Sequence, residues 1–217
     1  MKLVAALWDP DPEALFDDEL HDLLADAGAT RLQVNLDDLP AGVLRLQAFG
    51  ERVVCVVSVW GPEICVPLLV PYAGDLAAWE VSERVPLPPP DAPDGTRLDA
   101  LSQVAFLRRP ASLPYDAWLA HWHGPHTQVA MEAQATFGYV QNRVLRPLTD
   151  DAPPVDAIVE ELFPSAAVHD IHAFYGSGGS QDELDRRLTR LMESVSTMGA
   201  DHDLDVVPTS RWSFDLG

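Results

Sequence analysis

The segment Pro86-Leu-Pro-Pro-Pro-Asp-Ala-Pro-Asp-Gly-Thr96 sets five prolines in eleven positions. Proline lacks a backbone N–H and has a locked φ, so this density excludes helix interior and ladder bonding alike and reads as a linker over residues 86–98. The same order of elements stands on either side of it. In residues 1–85, Leu3 to Trp8 is a short buried strand, and Asp9 or Asp11 caps a helix bearing Leu15, Phe16, Leu20, Leu23 and Leu24 that ends at Gly28. Arg31 to Leu36 alternates as a strand and Arg52 to Trp60 is rich in valine; Tyr72 to Ala78 reads as a short helix before a strand from Trp79 to Val85. In residues 99–217, Leu101 to Arg108 is a strand and Pro114 to about Ala135 is helical. Gly138 to Leu145 and Val168 to Tyr175 are strands. Ser180 with Glu183 forms a capping box for a helix whose Leu184, Leu188, Leu191, Met192 and Val195 make one apolar face, and Asp205 to Phe214 is the last strand.

Two strand-helix-strand-strand-helix-strand units predict an α+β protein made of two tandem ferredoxin-like (split βαβ) halves. Each antiparallel sheet has one face covered by helices and one left over. Packing the leftover faces together gives an α/β barrel with a pocket between the sheets, closed within one chain or between two.

Composition narrows the partners. The net charge is −20 over 217 residues, which repels phosphate backbones and anionic lipid, so neither nucleic acid nor a membrane surface is expected as a partner. No stretch approaches the roughly 20 apolar residues that span a bilayer, and Met1 to Trp8 runs into Asp9-Pro10-Asp11 without a cleavage-like site, so a cytoplasmic protein is expected. Cys55 and Cys65 lie in apolar, β-branched runs and read as small structural hydrophobes.

Chemistry gathers in residues 118–144. His121, His123 and His126 stand beside Trp118 and Trp122, and an aromatic, partly dry setting keeps imidazole neutral and able to accept protons. Gly124-Pro125 should interrupt the helix and let His123 turn toward a cavity walled by the two tryptophans. His123 is therefore the candidate general base or acid, with His126 and Asn142 orienting or polarising an oxygen. Metal binding competes for the same histidines, but His121 and His123 at i and i+2 point to different sides of a helix. No metal and no cofactor is expected. In the strand after Gly138, Asn142 flanked by valines faces the barrel interior in one register, and Tyr139 with Gln141 does so in the other. A solvated face is the commoner explanation of Glu160-Glu161; the alternative is that one carboxylate is buried, raised in pKa and able to act as an acid. Gly176-Ser-Gly-Gly-Ser180 lacks the lysine and the spacing of a phosphate loop, and no nucleophile elbow or dinucleotide fingerprint is present.

Residues 101–214 resemble the EthD family of the dimeric α/β-barrel superfamily. The resemblance rests on Arg108-Arg109-Pro110, Trp118 with His123-Gly124-Pro125, and Tyr139-Val140-Gln141-Asn142; Gln134-Ala-Thr-Phe137, Ala157-Ile-Val-Glu-Glu-Leu-Phe163 and Pro208-Thr-Ser-Arg-Trp212 are similar to a longer tandem subgroup. Trp118 precedes His123 by five residues where the family pattern has four, which leaves the assignment open between Trp122, His123 and His126. The resemblance implies small-molecule catabolism, dehydration or ring closure of polyketide-like aromatics without a bound cofactor, and a homodimer as one assembly. Together these readings predict a cofactor-independent enzyme, a lyase/dehydratase or cyclase acting on a hydrophobic, aromatic or cyclic compound. Trp118, Trp122, Tyr139, Gln141 and His121 would contact that substrate. The alternatives are a cofactor-free monooxygenase and a non-catalytic binding protein for a hydrophobic metabolite.

Overall fold

Eight strands close one barrel in the computed structural model, which describes residues 1–217. They are β1 (Lys2–Pro10), β2 (Arg31–Leu36), β3 (Cys55–Trp60), β4 (Ala73–Leu87), β5 (Leu101–Leu107), β6 (Gly138–Pro147), β7 (Ala157–Phe163) and β8 (Asp205–Asp215). The order around the barrel is β1-β3-β2-β8-β5-β7-β6-β4 and every neighbouring pair is antiparallel. Each half supplies four consecutive strands in the same internal order, β4-β1-β3-β2 and β8-β5-β7-β6, and the halves join at β2 with β8 and at β4 with β6. One chain therefore completes the barrel without a second copy.

Helices α1 (Asp18–Asp26), α2 (Cys65–Leu69), α3 (Tyr115–His121), α4 (Thr127–Ala133), α5 (Ile171–Tyr175) and α6 (Gln181–Met198) cover its outside. Successive side chains of a strand point to opposite faces, and both faces here are covered. On β1, Leu3, Ala5 and Leu7 pack outward with Leu20 and Leu24 of α1, while Val4 and Ala6 pack inward with Trp79, Phe106 and Ile158. A second outer layer joins Trp118, Trp122 and Ala130 to Tyr139 and Val159. The interior is divided along its axis. One end is filled by apolar side chains and lidded by Phe49, whose ring lies 5.3 Å from Phe106. Each large side chain buried there is worth about 1.5–3 kcal/mol. The other end holds Lys2, Gln33, Asn35, Ser102, Asn142, Glu160, Thr209 and Arg211, all buried.

Several sequence expectations shift. Residues 73–78 are strand rather than helix, because β1 extends to Pro10 and pairs with Ala73 onward; the helix lies earlier, at Cys65–Leu69. Val168 to Tyr175 is not a strand: the Asp170 side chain accepts the His172 N–H at 2.8 Å, capping α5, and Gly176 in left-handed geometry (φ 65°) ends it. The strand of that region is β7. The helix over 115–133 is interrupted where expected: Gly124, at φ −106°, ψ −106°, is non-helical, and two helical segments meet there at a kink just before Pro125. Pro86 and Leu87 finish β4, and the rest of the proline-rich segment crosses one barrel end. Its Gly95 and Leu98 N–H groups donate to the Ser213 and Arg211 carbonyls of β8. Ser180 caps α6 by accepting the Glu183 N–H at 3.3 Å, and no helix is long and apolar enough to cross a membrane.

Candidate functional site

The proline-rich segment roofs a cavity of about 690 Å³ at the polar end of the barrel. Lys2, Gln33, Glu160 and Arg211 line its floor, Arg31, Trp60 and Glu83 its side, and Pro89, Asp91, Asp94 and Leu98 its roof. The lining is mostly polar, against the expectation of apolar walls, because the apolar inward positions are used up in filling the opposite end.

The floor is one network. The Lys2 ammonium, 4% exposed, donates to Glu160 Oε1 at 2.6 Å and Glu83 Oε1 at 2.7 Å, and lies 4.6 Å from the Trp60 ring centroid. Asn142 Nδ2 donates to Glu160 Oε1 at 2.9 Å, and Gln33 Nε2 donates to Glu160 Oε2 at 2.7 Å and to Asn35 Oδ1 at 2.8 Å. Burial alone would push the Glu160 carboxyl up, but the Lys2 and Arg211 charges and the Lys2 and Gln33 hydrogen bonds outweigh it and hold it down at about 2. Both Glu160 oxygens are thus occupied. Glu83 differs: its side chain is 27% exposed, and its Oε2 accepts only the Trp60 indole N–H, at 3.3 Å. No group of three or more His, Cys, Asp or Glu side chains is arranged to hold a metal ion.

The structure puts most of the sequence-derived candidates elsewhere. Asn142 does face the interior, where it braces Glu160. Trp118 and Trp122 are 1% and 0% exposed within the helix–sheet layer outside the barrel, and so do not wall the cavity. Tyr139 and Gln141 take the outward register; the Gln141 amide donates to the Tyr139 hydroxyl at 3.1 Å and to Thr127 Oγ1 at 3.0 Å. His126 Nδ1 is 3.0 Å from Ser194 Oγ, and His121 Nε2 is 3.3 Å from the Ser194 carbonyl, so both tie α6 to the kinked helix. Burial, then the neighbouring His121, lowers His126 to about 4. His123 is half-buried beside Trp122 with Nε2 unpartnered, and burial, then Arg84 and Arg143, lowers its pKa.

Lys2, Gln33, Glu83 and Arg211 escaped the sequence reading. Their signal was present as polar residues at alternating positions of otherwise apolar strands, as in Leu32-Gln33-Val34-Asn35-Leu36. In this barrel those positions point inward, to the polar end of the interior.

Glu160 and Glu161 part ways through the same alternation. Glu161 faces the helix layer opposite Tyr139, its Oε1 sealed and unpartnered, and burial raises its carboxyl to about 7. Folding therefore retains a proton that the unfolded chain, near 4.5, has released. The associated stability is complete below about 4.5 and is lost as pH rises through about 7, by on the order of 3 kcal/mol. Denaturant midpoints at pH 5 and pH 8 should diverge more in the wild type than in Glu161→Gln; equal differences would show that Glu161 is ionised in the folded chain.

No protein-family model and no curated protein sequence matches this chain. Solved structures share its fold at 10% sequence identity. An anthrone oxidase-like protein aligns over 100% of this chain and 93% of its own with a TM-score of 0.56. A Lactobacillus acidophilus protein provisionally assigned as a monooxygenase aligns over 100% and 96% at 0.50, and chlorite dismutase from Candidatus Nitrospira defluvii over 97% and 90% at 0.50. What these structures share with this chain is the fold, a closed antiparallel barrel with helices on its outside.

Proposed function

We propose that this chain is a cofactor-independent small-molecule enzyme acting in the barrel-end cavity, and that it abstracts a proton next to an oxygen to leave an enolate- or phenolate-like anion. The observation that carries this reading is the contact of the buried Lys2 ammonium with a carboxylate that still opens on the cavity, Glu83. Glu83 acts as general base. Lys2, its side chain 3% exposed and oriented by Glu160, stabilises the developing charge. This first step is common to elimination of water, ring closure and oxygenation by dioxygen without a cofactor. The oxidase- and monooxygenase-like names among the fold neighbours support keeping the oxygenase beside the lyase. The repeated strand order supports two tandem ferredoxin-like halves, and the motifs around Trp118, His123 and Tyr139 support an EthD-like protein.

A second reading keeps His123 as the acid-base group in the helix–sheet layer, favoured by four unpartnered polar atoms there: His123 Nε2, Trp118 Nε1, Trp122 Nε1 and Glu161 Oε1. One experiment tests both. A panel of hydroxylated aromatics and 1,3-dicarbonyl compounds is incubated in D2O, with C–H exchange followed by NMR and dioxygen uptake by electrode. Exchange that is lost in Glu83→Gln and kept in His123→Gln supports the cavity, and the opposite pattern supports His123. Binding with no exchange above the protein-free rate would make the chain a binding protein.

A further inference from the structure

We infer that the barrel-end cavity takes a planar hydroxy-carboxylate and that Arg211 holds its carboxylate; this rests on the cavity being the functional site proposed above. Arg211 projects from β8 into the cavity floor and is 6% exposed, yet its Nη1 has no hydrogen-bond partner. Glu160 and Glu83 act on it only through space, since Lys2 holds both. Arg45 and Arg108, also shielded, are held by partners, and Arg109, whose buried Nε is likewise unpartnered, does not line the cavity and bonds the Pro110 and Leu113 carbonyls through Nη1. Arg45 bonds both oxygens of Asp37 and three backbone carbonyls, and Arg108 bonds Asp205 and the Asp203 carbonyl. In a protein with 34 acidic residues, a buried guanidinium left unpaired is a costly arrangement that an incoming anion would relieve.

The chemistry of the anion follows from its neighbours. A guanidinium matches a carboxylate with two parallel N–H···O bonds. A dianion such as phosphate would instead sit against the ionised Glu160 on the same floor. Gln33, which lines the cavity, adds a second requirement: its amide N–H groups are committed to Asn35 and to Glu160, an acceptor, so its orientation is settled and its Oε1 is a buried acceptor without a partner. An acceptor calls for a ligand donor, a hydroxyl or an amine. Trp60 and Phe214 supply flat apolar walls, with the Arg31 guanidinium 4.5 Å from the Trp60 ring centroid as a further cation at the mouth.

The test is calorimetric titration of the wild-type protein, Arg211→Met and Arg211→Lys with 4-hydroxybenzoate, 4-hydroxybenzamide and inorganic phosphate. Expected is saturable binding of the acid at least 10-fold tighter than of the amide. In Arg211→Met that preference should vanish while amide affinity stays, and Arg211→Lys should keep only part of it. Equal wild-type affinity for acid and amide, preference for phosphate, no binding of the acid up to its solubility, or undiminished acid binding by Arg211→Met would each overturn the inference. Arg211→Met breaks no hydrogen bond at Nη1, although it removes a charge that helps to hold Glu160 ionised. If Arg211→Met nevertheless fails to fold, the wild-type acid-to-amide ratio and the shift of the Arg211 side-chain 15N resonances with the acid decide the matter. Acid binding through Arg211 without any C–H exchange would sink the enzyme reading and leave this one standing. Glu83-dependent exchange of neutral phenols with no preference for acids would do the reverse.

Discussion

Glu83→Gln should lower the rate of proton abstraction in the barrel-end cavity by about 10² to 10⁴, the usual worth of one acid-base group, with little change in KM. The substitution keeps the shape and one acceptor oxygen, enough for Lys2 though not also for the Trp60 indole, which bonds the other oxygen of the glutamate, and it removes the group that takes up the proton. Glu160 is poorly placed to replace it, as Lys2 and Asn142 occupy one of its oxygens and Gln33 the other. The measurement is single-turnover C–H exchange or product formation by wild type and variant at saturating substrate. A loss below 10-fold with folding intact would remove Glu83 from the chemistry. A rise in KM with kcat preserved would assign it to binding alone.

The second large effect concerns stability. Lys2→Met leaves the Glu160 carboxylate buried at 3% exposure without its counter-ion, and breaking one partner of a buried pair costs about 3–5 kcal/mol. The pH dependence gives the sign. In the wild type the folded carboxyl is held at about 2 against an ordinary 4.5. Its contribution is therefore present above about 4.5 and lost as pH falls through about 2. In Lys2→Met, burial faces a weaker opposition and the carboxyl rises, so the deficit relative to wild type should shrink as pH falls from 7 toward 4. Lys2→Met combined with Glu160→Leu removes both charges and should recover most of the loss. Urea midpoints across this range measure all three; a double variant no more stable than the single one would show that the cost lies in packing rather than charge.

Strand positions were the most legible part of this chain. Arg31 to Leu36 is a strand with both ends as read, and the strands begun at Leu3, Leu101 and Gly138 lie within a residue or two of where alternation puts them. The helix capped by Ser180 was equally plain, since its cap and apolar face are local properties. Residues 73–78 and 168–175 misled because their local preferences are weak: a long partner strand claims the first, and an aspartate cap with a left-handed glycine claims the second.

The candidate site divides along the same line. All eight expected site residues lie in residues 118–144, the segment richest in aromatics and imidazoles, and the structure packs seven of them into the layer between helices and sheet. Burial favours large apolar surfaces first, so a cluster of tryptophans is drawn to a core whatever chemistry stands beside it. Asn142 alone of the eight reaches the interior network. The sequence by itself determined the repeated order of elements, the break at the prolines, the acidic charge and the alternation that sends Gln33, Asn142 and Glu160 one way and Glu161 the other. Only the tertiary structure decided that β1, β2, β4, β7 and β8 bring Lys2, Gln33, Glu83, Glu160 and Arg211 to one end of one barrel. Ion pairing across 158 positions of chain, as between Lys2 and Glu160, leaves no local mark, because it depends on closure of the sheet and not on the residues that flank either partner.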